Sequence, residues 1–172
     1  MRKIRYLVAM SLDGFIAGPN GEADWITSDP EVDFAAIWAQ FDTGLMGRKT
    51  YEAAVTRLGE KAFAGMKTIV FSHTMKSQDH PRATVLSELN ADWVRSLKQQ
   101  AGKDIWLFGG SKLFRSFLDA GLVDAVEVTV IPVMLGSGVP LLGPPYHPTT
   151  LKLFDTKIYR SGRVSLSYEV RR

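Results

Sequence analysis

The sequence predicts a three-layer α/β/α fold, dominated by a mostly parallel sheet with an antiparallel edge hairpin at the C-terminus. Three observations lead there. Short apolar runs at residues 4–10, 68–71, 105–108 and 126–130 have the length of buried strands. Amphipathic stretches lie between them, and strands alternating with helices make a parallel sheet covered on both faces. After a Ser161-Gly162 turn the period changes: Val164, Leu166, Tyr168 and Val170 alternate with Ser165, Ser167 and Glu169, as in a terminal hairpin.

Taken in order, residues 4–10 form a strand bounded by Ser11 and Asp13-Gly14, and Gly18-Pro19-Asn20-Gly21 supplies the turn formers of the next loop. A helix is expected to start near Ser28-Asp29-Pro30, with Pro30 in its first turn, Ser28 and Glu31 at capping-box spacing and Asp29 as a cap. Its apolar face would be Phe34, Ile37, Trp38 and Phe41. Leu45-Met46 reads as a very short strand, followed by a helix from about Arg48 to Gly59. Residues 68–71 and 83–86 are strands. Asn90 caps a helix carrying Trp93, Val94 and Leu97, with Gly102 as its stop. Residues 105–108 run as a strand straight into Gly109-Gly110. The helix after that turn has Leu113, Phe114, Phe117 and Leu118 on one side and ends at Gly121. Residues 126–130, 151–159 and 164–170 complete the sheet.

The 172 residues suit one domain spanning the chain, and 45% hydrophobic with 23% charged residues excludes a disordered or fibrous protein. There is no cysteine, which excludes disulfides, thiolate metal centres and a cysteine nucleophile; no other metal site is expected. Lysine plus arginine number 21 against 18 acids, and a net charge of +3 is too small to argue for nucleic acid or an anionic membrane. With no signal peptide and no apolar run of membrane length, a cytoplasmic protein acting on a small molecule is expected.

Ligands of such a sheet bind where strands run into helices at their carboxyl ends, and three segments lie there. In Met46-Gly47-Arg48-Lys49-Thr50, two cations and a hydroxyl sit at a helix N-terminus, an unfavourable place for positive charge unless an anion is bound nearby. In Phe108-Gly109-Gly110-Ser111-Lys112 the glycine pair lets backbone approach a phosphate closely, although a plain tight turn has the same appearance. Ser72-His73 follows another apolar strand and reads either as a phosphate contact or as a solvated loop. Together the three suggest a ligand with several phosphates, such as a dinucleotide.

The order of these pieces resembles the dihydrofolate-reductase-like superfamily over nearly the whole chain. The residues that carry the resemblance are 9–18, Asp24-Trp25, the Met46-Gly47-Arg48-Lys49-Thr50-Tyr51 signature, Ile69-Val70-Phe71-Ser72 and Phe108-Gly109-Gly110. Residues 132–141 are most similar to the stand-alone RibD C-terminal-domain type, the reductase-like part of riboflavin-biosynthesis enzymes. What the resemblance implies is NADPH as cofactor. Arg48, Ser72 and His73 would hold the adenosine 2′-phosphate. Gly47, Lys49, Thr50 and the turn Gly109, Gly110, Ser111, Lys112 and Leu113 would serve the pyrophosphate. Ala9 and Ile16 would face the nicotinamide, and Thr129 would stand at the substrate end, although a β-branched strand residue is also ordinary there. A homodimer is implied as well.

Two departures shape the functional expectation. Where folate reductases carry a helix acid, this chain has Pro30, leaving Glu31 and Asp33 as the catalytic candidates, or as acids that merely favour a helix N-terminus. Met66 stands where folate reductases grip a carboxylate with arginine, which argues against efficient folate reduction. The expected function is NADPH-dependent hydride transfer to a small pterin-like or pyrimidine-like heterocycle. The alternatives are a non-catalytic NADP(H)-binding or nucleotide-binding module and the 5-amino-6-(5-phosphoribosylamino)uracil reductase of riboflavin biosynthesis. The last is usually fused to a zinc deaminase, for which this chain has neither cysteines nor room.

Overall fold

A computed structural model describes residues 1–145 and 147–171. The chain runs β1 (Ile4–Ser11), β2 (Phe15–Ala17), α1 (Phe34–Trp38), β3 (Phe41–Gly47), α2 (Arg48–Leu58), β4 (Lys67–Phe71), β5 (Ala83–Leu86) and α3 (Ala91–Gln99). It continues through β6 (Asp104–Gly109), α4 (Ser111–Asp119), β7 (Ala125–Ile131), β8 (Val139–Pro140), β9 (Leu151–Ile158) and β10 (Val164–Val170). Eight strands form one sheet in the order β5-β4-β3-β6-β1-β7-β10-β9, and β2 pairs with β8 in a small second sheet. Neighbours from β5 to β7 are parallel, whereas β10 is antiparallel to both β7 and β9. The α/β class and the antiparallel edge are as expected.

Strand periodicity divides the core between the two faces. On one, Ile4, Tyr6, Leu45, Ile69, Ile105, Leu107, Val126 and Val128 pack with Val94 and Leu97 of α3 and Phe114 and Phe117 of α4. On the other, Met46 and Val70 meet Tyr51 of α2, while Phe41 and Trp106 meet Ile37 and Trp38 of α1. Helices therefore cover both faces. Among the described residues no helix is long and apolar enough to cross a membrane, and no group of three or more acids and histidines is placed to hold a metal.

The first helix departs from expectation. It spans only Phe34–Trp38, and its N-cap is Asp33, which accepts the Ala36 amide at 2.9 Å. Ser28 and Glu31 form no capping box. Asp29 is buried and accepts the Glu31 amide, while its backbone oxygen accepts from Val32, so residues 29–32 make a turn before the helix begins. Phe34, assigned to the apolar face, is exposed. Phe41, assigned to the same face, instead starts β3, buried with its ring 5.0 Å from Trp106. The expected two-residue strand is thus seven residues long and lies in the middle of the sheet.

Candidate active site

The three segments read as phosphate contacts lie at the ends of adjacent strands. Gly47 pairs in register with Phe71, and Met46 with Gly109, so the segments after β4, β3 and β6 stand side by side. Gly47 and Gly110 are the N-caps of α2 and α4, and neither helix has a side-chain cap. Two helix N-termini with uncapped amides therefore face one region, the arrangement that binds phosphate.

Glycine is needed there for two separate reasons. Gly109 has φ 89°, and a Cβ on it would meet the Tyr6 ring at 3.1 Å. Tyr6 cannot yield, because it is fully buried and stacked on Phe114 at 3.7 Å; burial also pushes its phenol pKa up. Gly47 and Gly110 instead leave space. A Cβ on Gly47 would come no closer than 3.8 Å, to the Gly109 carbonyl, and one on Gly110 would lie 3.8 Å from Thr50 Oγ1. Gly47, Gly109, Gly110, Thr50 and the buried Ser111 are thus brought together, with Lys49 and Lys112 exposed beside them.

Of the residues expected around a 2′-phosphate, Arg48 and Ser72 bond within the chain. Arg48 Nη1 bonds both Glu52 carboxylate oxygens, at 2.9 and 3.0 Å, along the surface of α2. Ser72 Oγ accepts the Thr74 and Met75 amides at 3.2 and 3.0 Å, and His73 is exposed.

The expected substrate end lies on the α1/α2 face of the sheet. Ala9, Thr129 and Ser165 form one row across β1, β7 and β10, and Thr129 Oγ1 lies 2.8 Å from Ser165 Oγ. Ile16 lies in β2, which β8 holds as a flap after β1.

One step further along these strands, an open cleft of about 280 Å³ is lined by Trp25, Thr27, Asp29, Ile131, Ser161 and Arg163, among others. Asp29 Oδ2 accepts the Ser161 hydroxyl at 2.5 Å and lies 3.6 Å from Arg163 Nε. Arg163 also donates to the Thr27 carbonyl and hydroxyl at 2.5 and 2.9 Å. The Ser161 hydroxyl, the Glu31 amide and the Arg163 charge hold the Asp29 carboxyl below its ordinary range, so this acid is an acceptor rather than a proton donor.

Glu31 accepts the Arg160 amide at 2.9 Å and pairs with its guanidinium, and Asp33 caps α1. Both candidate acids thus have structural partners. The Asp29–Ser161–Arg163 cluster was not foreseen, since no local pattern links Asp29 to a hairpin turn so distant in sequence. Only the residue types, an acid beside Pro30 and an arginine at a turn, could have hinted at it.

Comparison with known proteins places the chain in a family and supports the fold. The profile of the RibD C-terminal domain matches residues 2–166. The protein YyaP of Bacillus subtilis (strain 168) is 35% identical over 178 residues, covering 97% of this chain and 94% of its own. The crystal structure of a putative riboflavin biosynthesis protein from Shewanella sp. PV-4 superposes with TM-score 0.85 at 24% identity, covering 100% of both chains. The deaminase/5-amino-6-(5-phosphoribosylamino)uracil reductase of Thermotoga maritima matches with TM-score 0.71 at 20% identity, over 99% of this chain and 57% of that one. By the extent of the profile match and the likeness to YyaP, the chain belongs to the RibD C-terminal domain family.

Proposed function

We propose that the protein is a reductase that draws hydride from a reduced nicotinamide dinucleotide and acts on a small heterocycle of the pyrimidine or pterin class. The observation that carries this reading is the meeting of the two uncapped helix N-termini, α2 and α4, at adjacent strand ends beside Lys49 and Lys112. Helix amides, a hydroxyl at Thr50 and two ammonium groups form a donor set suited to a pyrophosphate. The reductase named for the Thermotoga maritima protein supports the pyrimidine class.

Bound there, the dinucleotide supplies the hydride. The chain's own residues position the partners. The Ala9–Thr129–Ser165 row runs from the side assigned to the nicotinamide to the side assigned to the substrate. Its paired hydroxyls can orient a ring amide and hold a water that delivers the proton. Asp29 and Arg163 form the wall of the cleft next to that row and keep the β9–β10 turn against residues 27–29.

Oxidation of the reduced nucleotide is to be followed with a panel of pterins and aminopyrimidines. Turnover with one of them is expected, reduced on the order of tenfold or more in Thr129→Val, which leaves a polar substrate group unpaired. Binding of the nucleotide without turnover across the panel would favour the non-catalytic module; Asp33 engaged as a helix cap and Glu31 in an ion pair are the observations on that side.

A further inference from the structure

A second cleft, of about 290 Å³, opens beyond the ends of β4 and β5, lined by Phe71, Ser72, His73, Ser87, Glu88 and Leu113, among others. Phe71 and Leu86 are register partners, and the Ser72 amide donates to the Leu86 carbonyl at 2.9 Å, so the Ser72-His73 and Ser87-Glu88 segments leave the sheet together. Leu113 comes from the first turns of α4, directly after the Gly110 cap. The cleft therefore adjoins the paired helix N-termini on the side away from Ala9. A dinucleotide with its pyrophosphate at those N-termini and its nicotinamide towards Ala9 would place its adenosine half here.

The chemistry of this cleft is unusual for a phosphate site. Among the described residues its lining contains no lysine or arginine, and its carboxylate is Glu88. The nearby cation, Arg48, bonds both oxygens of Glu52. Ser72 Oγ already accepts two amides and so has one proton left to give. A carboxylate only accepts hydrogen bonds. It matches the two hydroxyl donors of an unmodified ribose and repels a 2′-phosphate, the discrimination an acidic residue performs at other dinucleotide sites.

We infer that Glu88 selects the adenosine ribose without a 2′-phosphate, so that this protein takes NADH in preference to NADPH. The inference rests on the dinucleotide reading given above.

Calorimetric titration of the whole chain with NADH, NADPH, ADP-ribose and 2′-phospho-ADP-ribose tests it without an assay of turnover. The expected result is at least tenfold tighter binding of each unphosphorylated nucleotide over its phosphorylated counterpart. In Glu88→Lys the preference should reverse, and in Glu88→Gln it should narrow. Because Glu88 is exposed, both variants should keep the wild-type melting temperature. Added salt should narrow the wild-type preference, since repulsion at an exposed site is screened. Tighter binding of the 2′-phosphorylated nucleotides by the wild type would overturn the inference, as would a preference unchanged in Glu88→Lys. If none of the four nucleotides binds, the dinucleotide reading fails and the inference with it, a result distinct from a reversed preference.

Discussion

The Asp29 carboxylate lies 3.6 Å from the Arg163 guanidinium, with the two side chains only 3% and 5% exposed. This pair joins the loop after β2 to the turn between β9 and β10, and both side chains line the cleft beside Thr129. Arg163→Met removes the adjacent countercharge but keeps the aliphatic stem, leaving Asp29 buried with the Ser161 hydroxyl as its side-chain donor among the described residues. Losing one partner of a buried pair lowers the melting temperature by on the order of 5–10 °C in a chain of this size. Thermal unfolding of Arg163→Met and of Asp29→Asn/Arg163→Met should show the double variant recovering part of the loss. Simple additivity would mean that the two side chains are not coupled.

Gly47 and Gly109 should respond differently to a methyl group. Gly109→Ala forces a side chain into a left-handed backbone conformation against the Tyr6 ring, at a cost of about 1–3 kcal/mol. Gly47 has φ −81° and room for a Cβ, so Gly47→Ala should melt close to wild type. Its methyl group instead occupies space at the α2 N-terminus, and nucleotide affinity should fall on the order of tenfold. Melting curves beside nucleotide titrations of both variants separate the two effects; equal affinity in Gly47→Ala and wild type would place the pyrophosphate elsewhere.

Asp13 ties two loops together. Its carboxylate accepts the Ser11 hydroxyl at 2.6 Å and the Leu135 and Gly136 amides at 3.1 and 2.7 Å, and these bonds lower its pKa from 3.8 to about 2. A depressed carboxylate pKa stabilises the folded contact above the unfolded value and ceases to do so as pH falls through the folded one. Tethering of residues 135–136 should therefore be complete above about pH 4 and lost near pH 2. NMR shifts of the Leu135 and Gly136 amides should titrate with a midpoint near 2, and Asp13→Asn should abolish that step. A midpoint at the ordinary carboxylate value would show that the bonds do not form in solution.

The homodimer implied by the sequence resemblance is testable at the hairpin. Every residue of β9 is exposed, including Leu153, Phe154 and Ile158 at 49%, 54% and 77%. Register places Leu151, Leu153 and Ile158 beside Val170, Tyr168 and Val164, so the apolar face of the sheet continues onto the outer strand. Phe154 is an extra residue at a bulge, and Lys152 and Lys157 flank it, devices that guard an edge against strand addition. A second copy packed face to face is therefore the expected partner, and these side chains leave on the order of 400 Å² of apolar surface for it, a patch size typical of interaction sites. Sedimentation equilibrium should give two chains per particle, and Leu153→Glu a folded monomer. A monomeric wild type would refute this.

Much of the architecture was legible because it is written locally. The apolar runs at Ile4, Thr68 and Ile105, the Asn90 cap and the alternation from Val164 to Val170 each state their element within a few residues. The first helix departs from its local signals for a physical reason. Ser28-Asp29-Pro30 has the residues of a helix start, but Asp29 is held by Ser161 and Arg163 from the far hairpin, which overrides the local signal. Phe41 continues the helical spacing of Phe34 and Ile37, yet lies across the boundary into β3. At the site, the segments at Gly47 and Gly110 are visible as strand-to-helix junctions, and Ser72-His73 as the end of an apolar strand. The Arg48–Glu52 pairing and the placing of Glu88 and Ser72 along one cleft depend on rotamer and tertiary placement, which residue order does not carry.

The most direct test of the central claim, that the N-termini of α2 and α4 together cradle a nicotinamide dinucleotide, is quenching of tryptophan fluorescence by the reduced nucleotides. The account predicts saturable quenching with NADH or NADPH at a 1:1 ratio to chain, weakened in Gly47→Ala. No saturable response to either nucleotide up to about 1 mM, the upper end of ordinary Michaelis constants, would contradict it.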